Sequence, residues 1–595
     1  GQGAEVSDHI GGMGAIVTPD GVAFRVWAPH ATTVTVKGDF NEWDDEATPL
    51  ASELNGFWYG FVAGAAAGDE YKFHLTNGDD AFDRIDPYAR QVTSSVGNGV
   101  VYDHSVYDWH DDDFTCPPHN ELVIYETHVG SFSEGDSVGT FHDLAANLDH
   151  LHELGINAVQ LMPVAEFAGD VSWGYNPAHI FAVESAYGGP DALKDLVKQC
   201  HRRGIAVIMD VVYNHLGPSD LDLWEFDGWS QDGFGGIYFY NDDRAHTPWG
   251  STRPNYGTGE VRQFLYDNAL SWLRDFHLDG LRYDMIPYVR SVAGTGFDLP
   301  EGWSMMRWIN LAIREQFPGA ITIAEDMHGH HSVTSTADDG AAFHAQWDAL
   351  FVHPVRQQLE TPDDAQRSVH EIRDAIGSGY GETYARVIYT ESHDEVANGR
   401  ARVPHEIEPE NATGWPAQKR STLGAGITLT SPGIPMLFQG QEFLEGGWFR
   451  DDVPLDWDKA ESFRGIARLY RDLIRLRRNW YDTTKGLSGH GLNIFHCHQD
   501  TLMIAWQRWA EHGPGDDVVM VANLSHEART GYRVGFPAHG LWKLRFSSDA
   551  AIYSSIFGDH ESFDADATGA GQDGLDHSAE ISIGPYSLLI FSQDE

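Results

Sequence analysis

Read for the alternation of apolar and polar positions, the chain falls into three stretches. From about Val22 to Tyr102 short runs alternate in steps of two, "VAFRVWAP", "TTVTVKG", "GFWYGFV" and "DEYKFHL", separated by turn residues. Period two with breaks of this kind predicts half-buried strands, and their number predicts a small β-sandwich over residues 1–105. Beyond the acidic connector "DWHDDDFTCPPHN" the pattern changes to compact apolar runs: "LVIYETHV", "AVQLMPV", "AVIMDVVY", "GLRYDM", "AITIAEDM", "HAQWDALF", "ARVIYTESHD" and "IPMLFQGQEF". Between them the period is helical. Before the fourth run, for example, Val261, Phe264, Leu265, Ala269, Trp272, Leu273 and Phe276 recur at steps of three and four. Eight buried strands alternating with helices over residues 106–486 predict a (β/α)8 TIM barrel with long insertions. From about Gly489 the short alternating runs return, "LMIAWQRW", "VVMVANLS", "WKLRFSS" and "ISIGPYSLLIFS", predicting an all-β sandwich over residues 487–595. The fold class expected is α/β, a barrel flanked by two all-β domains.

The fourth run carries charges where none is expected. In "HLDGLRYDMI" Arg282 and Asp284 are two residues apart on a strand, so both point to the same side, the barrel interior. Four strands end in acids, Asp210, Asp284, Glu325 and Asp394, and in such a barrel the C-terminal strand ends share one mouth. One buried acid is ordinarily half of a structural salt bridge. Four at corresponding strand ends are costly to explain that way, because each buried carboxylate needs a partner. Arg282 would keep Asp284 ionised and aimed, as a nucleophile at neutral pH requires. Glu325 on the next strand would be the acid/base, kept protonated by a raised pKa. This is the equipment of glycoside hydrolysis with retention. Asp394 would oppose positive charge on the sugar ring, while His215 and His393 would hydrogen-bond its hydroxyls. After the second strand "VSWGYNPAHIF" offers Trp173, Tyr175, Asn176 and His179 as a stacking and donor surface for a sugar. Asn41 and Trp43 in "GDFNEWDDEATPL" read equally as turn residues or as a sugar platform.

Charge narrows the ligand. Asp and Glu number 89 against 39 Lys and Arg, a formal net charge of -50. Such a field repels phosphate backbones and anionic lipid, which excludes nucleic acid and membrane surfaces as partners and favours neutral polymers. Cys116, Cys200 and Cys497 are widely separated and odd in number, so neither a disulfide framework nor a thiolate metal site is indicated. No run approaches the roughly 18 apolar residues of a membrane helix, and "GQGAEVSDHI" has no signal core. The expected location is the cytoplasm.

Taken together, "DVVYNH" (Asp210 to His215), "GLRYD" (Gly280 to Asp284), "AED" (Ala324 to Asp326) and "SHDE" (Ser392 to Glu395) resemble, in order and spacing, the four conserved regions of the α-amylase superfamily, glycoside hydrolase family 13. The N-terminal stretch resembles the starch-binding-like (CBM48-like) sandwich of branching, debranching and trehalose-forming members, and the C-terminal one the family's all-β domain. The resemblance implies Asp284 as nucleophile, Glu325 as acid/base, Asp394 as transition-state stabiliser, and Tyr175, Asp210, His215, Arg282 and His393 around the sugar at the cleavage point. It implies α-glucans as substrates (starch, glycogen, maltooligosaccharides). Some members hold structural calcium near the asparagine matching Asn214; the branching and trehalose-releasing groups generally do without it, so no cofactor and no metal is expected. "RPNYGTGEVRQFLYDNALSWL" and "ESHDE" look like glycogen branching enzymes. "DVVYNHLGP", "HTPWG" and "YETHVGSF" look more like maltooligosyltrehalose trehalohydrolases, whose fourth region usually reads Asn-His-Asp-Gln. "DVVYNH" also departs from the Trp-Val-Pro-Gly-His-Phe run of bacterial branching enzymes. The expectation is a retaining 1,4-α-glucan branching activity, with hydrolysis of the α-amylase or trehalohydrolase type as the alternative. A non-catalytic amylase-like scaffold is the remote one, since such proteins have usually lost the acids retained here.

Overall fold

A computed structural model describes residues 9–218 and 220–595. The eight apolar runs all form strands, and these close into one parallel barrel in chain order. We label them β1 (Ile124–Thr127), β2 (Ala158–Leu161), β3 (Ala206–Val211), β4 (Gly280–Tyr283), β5 (Ile321–Ala324), β6 (Ala345–Trp347), β7 (Arg386–Ile388) and β8 (Ile434–Phe438). Every residue of these strands is buried, as both faces of a barrel sheet require. The expected helix before β4 runs Gly259–Asp275, and its periodic residues face the core; Phe276 follows at its end and is buried too.

The N-terminal domain packs a four-stranded sheet built on Gly21–Trp27 against a second sheet built on Glu70–Asn77. Val22, Phe24 and Val26 meet Val34, Val36, Phe73 and Leu75 in its core. Asn41 is a turn residue: its amide donates to Val36 O and Thr48 Oγ1 and its oxygen accepts from Gly38 N. This domain grips the long insertion between β3 and β4. Arg84 donates to the carbonyls of Phe226 and Glu225, and His30 N donates to Asp227.

The C-terminal domain holds a six-stranded sheet and a two-stranded one. The run "ISIGPYSLLIFS" is two strands, not one. His577–Ile583 pairs with Arg529–Phe536, and after a bend at Tyr586 (φ 45°) Ser587–Ser592 joins the other sheet. Helix Trp415–Thr430, buried on nearly all sides, connects this domain to the barrel: Lys419 Nζ reaches Asp549 (2.5 Å) and Ser587 (2.9 Å). Among the described residues no helix is long and apolar enough to cross a membrane.

Candidate active site

Parallel register builds the site. Asp210 on β3 lies directly opposite Arg282 on β4, and Arg282 opposite Ile323 on β5. Two residues further along their strands, Asp284 and Glu325 emerge at the same level, just past the last paired residues. The pleat therefore delivers all four polar groups to one side.

Arg282 is fully buried at the centre. Its Nη1 donates to both oxygens of Asp210 (2.9 Å each) and to Asp284 Oδ1 (3.1 Å). Nη2 stands 2.7 Å from Glu325 Oε2, close enough for strong attraction although off the line of a hydrogen bond. The guanidinium lies over the ring of Trp347, 4.1 Å from its centre. One cation thus faces three buried carboxyl groups, and ionising all three would leave net negative charge out of water, so protons are retained. Burial pushes Glu325 up to about 8; Arg282 opposes this and the nearby Asp284 and Asp394 reinforce it. Burial also lifts Asp210 to about 7 against the pull of Arg282.

Asp284 is held from its other side by Asn214, whose amide nitrogen donates to Oδ2 (3.0 Å) and to the Asp284 carbonyl (2.8 Å). The Asn214 oxygen accepts from His215 Nδ1. Burial depresses His215 to about 4, so the ring is neutral at pH 7 and its Nε2 is an acceptor. Both ends of the Asn214 amide are thereby engaged within the site. Glu325 Oε1 accepts from Met285 N (3.0 Å), and Met285 itself is held in the left-handed region (φ 36°).

Tyr175 donates to Asp210 Oδ2 (2.5 Å) and stacks on His393, 5.1 Å between ring centres. Trp173 meets the His393 edge at 5.8 Å. Asp394 is half-buried and accepts from the Asn398 amide (3.0 Å). These residues sit together, but two of the same loop do not join them. Asn176 spends its side chain on Ser172 and Ala168, which ties the loop to itself. His179 is carried away on strand Pro177–Val183, buried, with Nε2 on the Ser95 carbonyl of the N-terminal domain.

Sequence reasoning passed over Glu126 at the end of β1. Its oxygens take the His393 backbone N–H and Nδ1, both at 2.9 Å. Burial alone would lower His393, but the Glu126 carboxylate outweighs it and raises the imidazole to about 9, so it is cationic at neutral pH. Glu126 is a fifth acid at a strand end, and the strand-end rule applied to "LVIYETHV" would have found it. Trp249 had no such signal: it stacks on His215 at 4.8 Å from within the β3–β4 insertion, where no periodicity points.

Comparison with known proteins follows the same outline. Residues 12–89 match carbohydrate-binding module 48 (isoamylase N-terminal domain), residues 127–225 the α-amylase catalytic domain and residues 495–594 the α-amylase C-terminal all-β domain. The 1,4-alpha-glucan branching enzyme GlgB of Corynebacterium jeikeium is 32% identical over 97% of this chain and 83% of its own length. The GlgB of Marinobacter nauticus is 32% identical over 93% and 89%. The chain belongs to the α-amylase family, glycoside hydrolase family 13. As a family member it is similar in fold to solved pullulanases. That of Anoxybacillus sp. LM18-11, complexed with maltotetraose, superposes with TM-score 0.74 at 22% identity over 99% of this chain and 88% of its own. That of Paenibacillus barengoltzii, with maltohexaose and α-cyclodextrin, gives 0.75 at 20% identity over 99% and 96%.

Proposed function

We propose that this family 13 enzyme is a retaining 1,4-α-glucan branching enzyme acting on starch-like or glycogen-like chains and maltooligosaccharides. The observation that carries the mechanism is the division of labour among the carboxyl groups around Arg282: Asp284 held by two donors, and Glu325 kept protonated beside it. Asp284 attacks the anomeric carbon as Glu325 gives its proton to the departing glycosidic oxygen, leaving a covalent glycosyl-enzyme. Glu325, now a carboxylate, takes the proton from an incoming 6-hydroxyl, whose oxygen attacks the anomeric carbon and releases Asp284. Asp394 faces the positive charge that develops on the ring in both steps. His215 accepts from and His393 donates to sugar hydroxyls; Trp173, Tyr175 and Asp210 shape the walls, and Asn176 fixes the loop that carries them. Transfer to a sugar rather than to water rests on the full-length similarity to GlgB relatives.

The second reading is hydrolysis of α-glucans, of the α-amylase type or of the trehalohydrolase type to which the segments "DVVYNHLGP" and "HTPWG" point. We place the reaction in the cytoplasm, to which three free cysteines are suited. Feeding amylose with a maltooligosaccharide labelled at its reducing end separates the two readings. Label moving into longer, branched chains supports transfer; label staying in the starting oligosaccharide while amylose is cut to reducing ends rejects it.

A further inference from the structure

The C-terminal domain brings together a second group of polar side chains, remote in role from the glucan chemistry. On strand Gly491–His498 a bulge falls between Ile494 and His496, and on Arg529–Phe536 another falls between Arg529 and Tyr532. Bulges re-aim side chains, and these turn His496 and Tyr532 toward each other: His496 Nε2 and the Tyr532 hydroxyl are 2.6 Å apart. His498, two residues on, lies on the same face, its ring parallel to that of His496 at 4.0 Å. Asp573 completes the group from the turn Gln572–Leu575. It is held in the left-handed region (φ 57°), and its Oδ2 accepts from Gly535 N (2.8 Å), which leaves Oδ1 facing His496.

His496 is 2% exposed, yet its Nδ1 has no hydrogen-bond partner among the described residues. Asp573 Oδ1 stands 3.0 Å away but off the direction a hydrogen bond takes. Two atoms each about 2.1 Å from a tetrahedral ion stand about 3.4 Å apart, so the 3.0 Å between His496 Nδ1 and Asp573 Oδ1 needs to open by only roughly 0.4 Å for the two to share a cation. The ligand atoms of His496, His498 and Asp573 all lie within 4.8 Å of one another. His498 is exposed and has room to turn its ring. A Tyr532 oxygen on the far nitrogen of His496 is the outer partner that fixes the tautomer of a metal-bound imidazole. The other histidine–aspartate cluster among the described residues, Asp45, His74 and Asp83, has one imidazole and two carboxylates, and Lys37 Nζ already sits between its acids at 2.6 and 3.1 Å.

We propose that His496, His498 and Asp573 bind a divalent transition-metal ion of the imidazole-preferring class, zinc(II) above all, and that the ion fastens strand Gly491–His498 to the turn Gln572–Leu575. Two imidazoles and one carboxylate select such ions over calcium or magnesium, which prefer all-oxygen shells. The test uses the full chain, freed of metal with a chelator and titrated with ZnCl2 by calorimetry and by thermal melting. Because His496 is buried and its loss endangers folding, the variants are His498→Ala and Asp573→Asn, whose circular dichroism is checked first. The expected result is one tight zinc per chain that raises Tm, with affinity at least tenfold weaker in each variant, and visible absorption from bound cobalt(II) that both variants lose. Absence of a tight zinc in the parent protein, or unchanged affinity in either variant, would overturn the proposal.

Discussion

At the scale of single residues the site is governed by one buried cation among acids. Asp284→Asn keeps the shape of the side chain and removes the nucleophile, so kcat is expected to fall roughly 10⁴-fold or more, while affinity electrophoresis in glycogen gels stays near that of the parent. Full activity in this variant would refute the assignment. Glu325 must be protonated to act, so activity is expected to decline above about pH 8 as its proton leaves. The same shift bears on stability. In the unfolded chain this carboxyl ionises near its ordinary 4.5, so between about pH 4.5 and 8 the unfolded state binds fewer protons and rising pH works against the fold. Glu325→Gln removes that penalty, and its Tm advantage over the parent should grow from pH 5 to pH 8; a constant difference would contradict the raised pKa. Glu126→Gln should strip His393 of the counter-charge that keeps it cationic and add a new loss of kcat/KM near neutral pH. A merely structural role for Glu126 would lower Tm without moving the profile.

At the scale of elements, regular strands were legible and irregular supports were not. All eight barrel strands follow from apolar runs, and Arg282 with Asp284 from a spacing of two. His179 was misplaced because "NPAHIF" reads as loop continuing from Trp173, whereas Pro177 begins a strand of a two-stranded sheet with Ala165–Phe167. Inside the β3–β4 insertion order comes from buried aromatic residues, Phe226, Tyr238, Phe239 and Tyr240, whose packing has no period to read. The loop bearing Trp173 and Tyr175 turns at Gly174 (φ 101°), where a Cβ would stand 2.5 Å from the Pro163 carbonyl oxygen. Gly174→Ala should therefore displace both aromatic rings and lower kcat/KM by about ten- to a hundredfold, with the far-ultraviolet spectrum unchanged. Retained kcat/KM would mean that the loop does not position substrate.

At the scale of the molecule, three domains lock together through many polar contacts, among them Arg84 with the Phe226 and Glu225 carbonyls and Lys419 with Asp549, beneath a strongly acidic surface. A formal charge of -50 makes the folded chain repel itself, and salt screens that repulsion over a Debye length that shrinks from about 10 Å at 0.1 M to about 3 Å at 1 M. Tm is expected to rise with KCl across this range; a flat or falling Tm would show that the acids are offset locally by pairs such as Arg25 with Glu53. The three-part architecture could be read from changes of period alone. The choice between transfer and hydrolysis could not, since both share every step to the glycosyl-enzyme and differ only in which oxygen reaches the anomeric carbon next. The measurement that tests this most directly is incubation of the purified protein with amylose, following the anomeric proton NMR region alongside a reducing-end assay. New α-1,6 signals without a matching rise in reducing ends are the expected result; rising reducing ends with no α-1,6 signal would contradict the branching assignment.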